Sequence, residues 1–380
     1  YQPLANTFLS KKNQKNNPVT LYPIKVVKCR KCGLVQLDHI VNQSEVYHDE
    51  YPYIPSITGV VNDEQLEFAN TCYRKLKLKK NDLVVDIGSN DGNLLRHFKN
   101  LGCRVVGIEP TDTYKLANMN KIKTYKSFFD KKISSFIKKK YGKAKLITAT
   151  NVFAHMSSLG SVMSGINNLL DKESFFVFEN HYLGNVLKNL QYDTFYHEHL
   201  RTYSAMPLKF LFDSYKLNFF DAYKVSRYGG SLRCFVSNLN IKPSNNLKKL
   251  YQNEKRLYSN DEVFNNFSKK IYKVSNDLQE IIHKINNKKQ SIVGKACPAR
   301  AVVLLSYNNI NHFKIPYIAE QKTSLKLNLT IPYLNIPIKN SKVFLEDKPD
   351  YILLLAWHLK NPIIKKWRDL GLKSKFIVPL

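Results

Sequence analysis

The densest run of titratable and hydrogen-bonding side chains in this sequence is Tyr192-Asp193-Thr194-Phe195-Tyr196-His197-Glu198-His199, where only Phe195 can do neither. As a metal site it is poor: the His-Glu-x-x-His spacing is missing, and adjacent His197 and Glu198 point apart on a helix or a strand. As an acid–base site it is better. Tyr196 and His199 are three apart and would share a helical face, and Glu198 adjoins His199 as a carboxylate able to tune it. A histidine with a pKa near neutrality is the group expected to take a proton from a carbon acid. Two smaller polar clusters follow apolar runs, Asn151 to His155 and Phe178 to His181. In them His155 reads either as a helix cap or as a site residue, and Glu179 as an orienting group rather than an acid.

A second chemistry is written in Val84-Val85-Asp86-Ile87-Gly88-Ser89-Asn90-Asp91-Gly92, an apolar strand running into an acidic, glycine-punctuated turn. Turns of this kind cradle adenosine-bearing cofactors in α/β proteins. A dinucleotide fingerprint requires Gly-x-Gly-x-x-Gly, whose second glycine admits a pyrophosphate; that position is Asn90 here. S-adenosylmethionine carries no phosphate and its sulfonium is cationic, so Asp86 and Asp91 are tolerable beside it and would repel a pyrophosphate. One helix later Val105 to Pro110 reads as a strand ending in an acid, Glu109, placed to accept ribose hydroxyls. The candidate cofactor-binding residues are therefore Asp86, Gly88, Ser89, Asn90, Asp91, Gly92, Glu109 and, at the same sheet edge, Asn151.

The elements that must position these residues follow from periodicity. Residues 1–58 are rich in turns and prolines and predict an irregular N-terminal module. From 59 to 238 the pattern alternates: helix 62–77, strand 83–87, helix 92–100, strand 104–109, helix 128–140, strand 145–150, helix 159–170 and strand 174–180. This predicts a doubly wound, mostly parallel Rossmann-like sheet with its ligand at the carboxyl ends of the strands. A helix opened by Pro207 and a turn entering a strand at Tyr228 to Val236 come next. Residues 243–290 read as one long helix or two consecutive ones, and 239–380 as a smaller α/β unit with strands near 291–294, 315–319, 351–356 and 375–378.

At 380 residues the chain suits two or three cores. The formal charge of +29 is spread as lysines along helix faces, with no helix-turn-helix, zinc-finger array or aromatic sheet signature, so nucleic acid is not the expected partner. A small polyanion such as a sugar nucleotide diphosphate would gain from the same field. No apolar run is long enough to span a bilayer and no apolar leader precedes the first strand, so the expectation is a cytoplasmic protein without a membrane partner. Of six cysteines only Cys29 and Cys32 are close, and Cys29-Arg30-Lys31-Cys32-Gly33 reads as one knuckle of a structural zinc site. A second knuckle is missing, so either an N-terminal piece carrying it precedes Tyr1 or no metal binds.

In order, Cys29-x-x-Cys32-Gly-Leu-Val-Gln-Leu37, Tyr51-Pro52-Tyr53, Asp86 to Gly92, Gly107-Ile108-Glu109-Pro110, Asn151 to His155, Tyr196-His197-Glu198-His199 and Gly229-Gly230-Ser231-Leu232-Arg233 resemble the nucleotide-sugar C-methyltransferases over nearly the whole chain. The resemblance implies S-adenosylmethionine-dependent methylation at C3 of a dTDP-4-keto-6-deoxy sugar, in branched-sugar and surface-polysaccharide biosynthesis. It implies His199 as general base, with Tyr196, Glu198, His155 and Tyr51 or Tyr53 as the other active-site groups. By the same resemblance Cys29 and Cys32 are half of a four-cysteine zinc site. Separately, the chain is expected to be a monomer or a weak homo-oligomer. The C-terminal turn departs from the family: Gly294-Lys295-Ala296-Cys297-Pro298-Ala299-Arg300 stands where a glycine-rich turn ends in Ala-Lys-Gly, and Glu320 where an aspartate is usual. Competing readings are O- or N-methylation of a sugar or small metabolite and, third, an RNA-binding or RNA-methylating protein.

Overall fold

The computed structural model describes residues 1–10, 19–48, 54, 59–258 and 260–380. Near the N-terminus β1 (Val26–Lys28) and β2 (Val35–Leu37) are folded together by the cysteine turn. There the Cys29 amide donates to the Leu34 carbonyl at 2.8 Å and the Gly33 amide to the Cys29 carbonyl at 2.9 Å. Gly33 takes φ +76°, a left-handed value that favours glycine.

The chain then alternates. Helix Gly59–Lys75 leads to β3 (Leu83–Ile87), helix Asn93–Asn100, β4 (Arg104–Glu109), helix Tyr114–Met119 and β5 (Thr124–Lys126). Helix Lys131–Tyr141, β6 (Ala144–Thr150), helix Leu159–Leu169 and β7 (Leu170–His181) follow. After β8 (Arg201–Thr202), which pairs with β2, come helix Ala205–Ser214, β9 (Asn218–Val225) and β10 (Ser231–Ser237). The sheet order is β5-β4-β3-β6-β7-β10-β9, parallel from β5 to β7 and antiparallel from β7 to β9. All five residues of β3 are buried, as a continuous apolar run in a doubly covered parallel sheet requires. From β3 the chain moves outward to β4 and β5 and returns to β6, so the strand order reverses between β3 and β6. A crevice opens at that switch point, outside the carboxyl ends.

The predicted helix 62–77 starts earlier, at Gly59, and β7 extends the predicted 174–180 at both ends. The strand β9 was invisible as a pattern because Asp221 interrupts its apolar run; in the fold that carboxylate is buried and paired with Lys75 at 2.7 Å. Two helices, Asn245–Leu257 and Glu262–Asn287, replace the single long alternative. The second sheet contains β11 (Ile292–Lys295), β12 (Ile318–Glu320), β13 (Thr330–Ile331), β14 (Ile336–Asn340), β15 (Tyr351–Leu354) and β16 (Lys375–Ile377). Its order is β13-β14-β12-β11-β15-β16, parallel apart from the β13–β14 pair.

A buried ionic network fixes the rim of the crevice. Glu179 on β7, fully buried, accepts from Arg227 Nη1 at 2.8 Å and from Arg233 Nε at 2.6 Å. The arginines continue to Glu64, 2.9 Å from Arg227 Nε, and to Glu67 on the same helix, 2.5 Å from Arg233 Nη2. β7, β10 and helix Gly59–Lys75 are thereby held in one geometry.

Candidate functional site

A single cavity of about 1050 Å³ runs from the Gly88 turn, past the Tyr196–His199 segment, to the carboxyl ends of β11 and β12. Its first end is built by β3 and β4. Gly88 (φ +69°) follows β3, and a Cβ there would come within 2.5 Å of Val152 Cγ2, so only glycine leaves room where the chain turns. Glu109 at the end of β4 accepts from the Asn90 amide at 2.9 Å and from the Thr111 amide and hydroxyl at 2.9 and 2.6 Å. Burial raises its pKa. Burial likewise pushes the Asp86 carboxyl up to about 7, opposed by the Thr148 hydroxyl that donates to it at 2.6 Å. Asn151, at φ +57°, presents an amide oxygen without a partner among the described residues. The Ser89 hydroxyl is also unpartnered but lies against Gly107, where no Cβ would fit.

Two predicted cofactor residues are not on this wall. Asp91 Oδ1 accepts from the Asn93 amide at 3.3 Å, and Gly92 (φ +77°) turns the chain into helix Asn93–Asn100 against Ala117 and Ile122. Both shape the turn from behind. Asp86, Gly88, Ser89, Asn90, Glu109 and Asn151 do line the cavity. An acidic, phosphate-free cradle with a glycine floor and an unpartnered amide oxygen suits the adenosyl and cationic parts of S-adenosylmethionine.

The middle of the cavity holds the acid–base cluster. Residues 192–199 form no continuous helix: one 3-10 turn, Tyr192–Thr194, is followed by a turn in which the His199 amide donates to the Tyr196 carbonyl at 2.8 Å. That turn, rather than a helical face, brings the Tyr196 and His199 rings together, centroids 4.1 Å apart and planes tilted by 38°. His199 Nδ1 lies 2.8 Å from the Thr194 carbonyl, which can only accept, so Nδ1 carries the proton. Nε2 is then the acceptor of the Tyr196 hydroxyl at 2.9 Å. Burial, helped by the imidazoles of His181 and His155, holds the His199 pKa well below its usual value.

This corrects the expectation of a near-neutral histidine tuned by Glu198. The Glu198 carboxylate, buried and lining the cavity, accepts instead from Asn6 Nδ2 at 2.6 Å. His197 turns the other way and packs edge-on against Tyr22, ring centroids 5.7 Å apart. The His155 ring is 5.0 Å from that of His199 and stacks at 6.1 Å on Tyr47; burial lowers its pKa to about 4. Its turn is fixed by Asn180, whose Oδ1 accepts from the Ala154 amide at 3.2 Å. Tyr51 and Tyr53 lie outside the described residues.

The far end is basic. Lys295, Arg300, Lys322, Lys326, Lys342 and Lys366 line it, with Glu320 the one carboxylate among the described residues there. Glu320 is occupied, accepting from the Cys297 amide at 2.6 Å and the Gln321 amide at 3.0 Å. Lys295 Nζ donates to Ser341 Oγ at 2.7 Å, and burial lowers its pKa to about 8. Arg300 Nη2 donates to Asp193 Oδ1 at 2.8 Å, and Trp357 Nε1 donates to Asp193 Oδ2 at 2.8 Å. Asp193 is thus the bolt between the 192–199 segment and the second sheet. Sequence reading missed Tyr47, His181, Lys295 and His358 as wall residues because each enters from a separate element. The signals that touched any of them were the polar cluster Phe178 to His181 and the departure of the 294–300 turn from the family pattern.

The Cys29 thiol is held below its ordinary pKa by the Cys32 and Lys31 amides, whereas burial raises that of Cys32. The pair could supply two ligands of a structural zinc site, and among the described residues no group of three or more potential ligands forms.

Comparison with known proteins matches three family models in succession along the chain. These are a domain described as a proposed zinc binding domain (residues 1–47), a methyltransferase domain (64–219) and a C-methyltransferase C-terminal domain (226–380). The C-methyltransferase NovU of Streptomyces niveus is 29% identical over 384 aligned residues, covering 100% of this chain and 90% of the relative. Among solved structures, the methyltransferase of the Haloferax volcanii Trm112 complex covers 49% of this chain and 93% of its own, with 13% identity and a TM-score of 0.39. A Clostridium acetobutylicum S-adenosylmethionine-dependent methyltransferase covers 46% and 91%, with 14% identity and a TM-score of 0.37. Likenesses that loose carry no functional argument.

Proposed function

We propose that this chain, an S-adenosylmethionine-dependent C-methyltransferase by its matched domains, methylates a carbon next to the ketone of a nucleotide-linked 4-keto-6-deoxy sugar, C3 in the first instance. The observation that carries the reading is the Tyr196–His199 pair, buried in a cavity that has an acidic cradle at one end and a lysine-rich end at the other. S-adenosylmethionine, when bound, supplies an electrophilic methyl group. Asp86, Glu109, Gly88 and Asn151 would hold it, the two carboxyls facing its ribose and its cationic portion.

The chain's own residues have two tasks. The first is to take a proton from a C–H acidified by the adjacent ketone. His199 Nε2 is unprotonated and aimed at Tyr196, so the proton leaves through this pair and ends on Nε2, while Nδ1–H stays anchored on the Thr194 carbonyl. The second is orientation. Transfer between two bound molecules gains mostly from proximity and alignment, which the walls of the cavity supply. The basic end, with four lysines beyond Lys295 and one already occupied carboxylate, suits a nucleotide diphosphate, and the net charge of +29 favours its approach.

Methylation at oxygen or nitrogen needs no enolate, and one experiment separates the two chemistries. The protein is incubated with S-adenosylmethionine and a panel of 4-keto-6-deoxy sugar nucleotides in deuterated water. Deuterium should enter the carbon next to the ketone, and His199→Asn should abolish exchange and turnover while S-adenosylmethionine still binds. Methyl transfer without exchange, or an active His199→Asn enzyme, would end the enolate reading.

A further inference from the structure

Beyond the groups already given a task, two imidazoles that line the cavity, His181 and His358, make no ring hydrogen bond among the described residues, and of the two His181 is the one beside His199. His181 closes β7 and is paired in register with Ser231 of β10, so its backbone is held by a central strand. Its ring faces the cavity, 4.5 Å from the His199 ring and 6.1 Å from that of Tyr228. No described residue hydrogen-bonds to it. This differs from His199, whose two nitrogens are both engaged. His199 is the ring that touches both others, with His155 on the side of Tyr47 and His181 on the side of Arg300 and His358.

We propose that His181 is a further catalytic residue: its single ring N–H donates to the acceptor's ketone oxygen and holds the negative charge that develops there as the Tyr196–His199 pair takes the neighbouring proton. A carbonyl oxygen and its α-carbon are separated by about 2.4 Å. The group that binds the one and the group that deprotonates the other must therefore be close neighbours, and two imidazoles with centroids 4.5 Å apart meet that demand. As the C–H bond breaks, its proton passes to His199 Nε2 and its electron pair enters the C–C bond beside the ketone. The carbonyl π pair moves onto oxygen. A preorganised donor aimed at that oxygen, in a site shielded from water, is what such a step gains most from.

The protonation state agrees. Burial, with Arg300, His155 and His358 nearby, lowers the His181 pKa to about 3, so the ring is neutral through the physiological range and donates without delivering its proton. The strand end also explains why a ring serves here, since β7 is paired with β10 as far as His181 and with β6 as far as Glu179, so the position is set by the sheet rather than by a loop.

The inference rests on the keto-sugar reading, and the test separates the two. Solvent deuterium exchange beside the ketone of dTDP-4-keto-6-deoxyglucose is measured with wild type, His199→Asn, His181→Phe and His181→Gln, alongside S-adenosylmethionine affinity and Tm. Loss of one oxyanion donor should lower exchange and kcat by about 10²–10³-fold in His181→Phe. Gln, whose amide N–H still donates, should recover part of that loss. S-adenosylmethionine affinity should stay within threefold in both variants. With exchange present in wild type and absent in His199→Asn, a His181→Phe enzyme within threefold of wild-type exchange overturns the His181 assignment alone. Equal losses in the Phe and Gln variants, tracking a fall in Tm, also overturn it, because they mark a structural role. If wild type neither exchanges nor methylates this sugar or any other 4-keto-6-deoxy sugar nucleotide of the panel, the reading falls and the assignment with it.

Discussion

Two buried ionisable groups of this site are kept uncharged by the same physics working in opposite directions. Desolvation penalises the charged form, so it lifts the Asp86 carboxyl to about 7 and drops the His155 imidazole to about 4. For Asp86 the linkage sign is direct. The folded protein holds this proton more tightly than the unfolded chain, so stability is greatest at low pH and is lost as pH rises from about 4 through about 7. Asp86→Asn should flatten that segment of the Tm–pH curve and raise Tm at pH 8 in the protein free of S-adenosylmethionine. Above pH about 7, where the carboxyl is ionised, a charge-assisted contact contributes about 1.5–3 kcal/mol, so at pH 8 the same variant should weaken S-adenosylmethionine binding by about tenfold or more, read by calorimetry. A variant with unchanged affinity would remove Asp86 from the cofactor wall. Of the residues singled out by sequence, His199 illustrates what spacing can and cannot supply. Its proximity to Tyr196 is local and was legible; its partner Thr194, in place of Glu198, depends on a turn whose geometry the residue types do not dictate.

At the scale of elements, the strand–turn–helix around Gly88 is the part most fully written in the sequence. The apolar run gives β3, the acid after the next strand gives Glu109, and the glycine marks the left-handed turn. Gly88→Ala imposes two separate costs, a positive φ and a Cβ 2.5 Å from Val152 Cγ2. The variant should lose about 1–3 kcal/mol of stability and most of its S-adenosylmethionine affinity, measured by denaturant titration and calorimetry. Adding Val152→Ala should return only the steric share. Full recovery in the double variant would mean that the backbone conformation is unstrained. One element that patterning missed, β9, is an edge strand whose buried Asp221 becomes acceptable only once Lys75 arrives from a helix far away in sequence. Alternation cannot reveal an ion pair whose other half is elsewhere.

At the scale of the whole molecule, the second sheet has to be held against the 192–199 segment, and Asp193 does this through Arg300 and Trp357. The carboxylate is fully buried and Arg300 nearly so, and removing one partner of such a pair leaves an uncompensated buried charge. Asp193→Asn should therefore raise KM for the sugar nucleotide by about tenfold or more while S-adenosylmethionine affinity stays near wild type. Equal losses for both ligands would instead show that the two ends of the cavity respond as one unit. The sequence by itself determined what neighbouring residues enforce on one another: the alternation that gives a doubly wound sheet, the glycine turn after β3, the cysteine turn, and the crowding of polar groups at 192–199. Tertiary structure alone decided that Asn6, 192 positions away, takes the Glu198 carboxylate, and that His181, Lys295 and Tyr47 reach one cavity from three separate elements. The reason is physical. Backbone dihedrals and side-chain periodicity are set within a few residues, whereas the partner of a buried polar group is set by which surfaces pack together, and spacing along the chain carries no record of that.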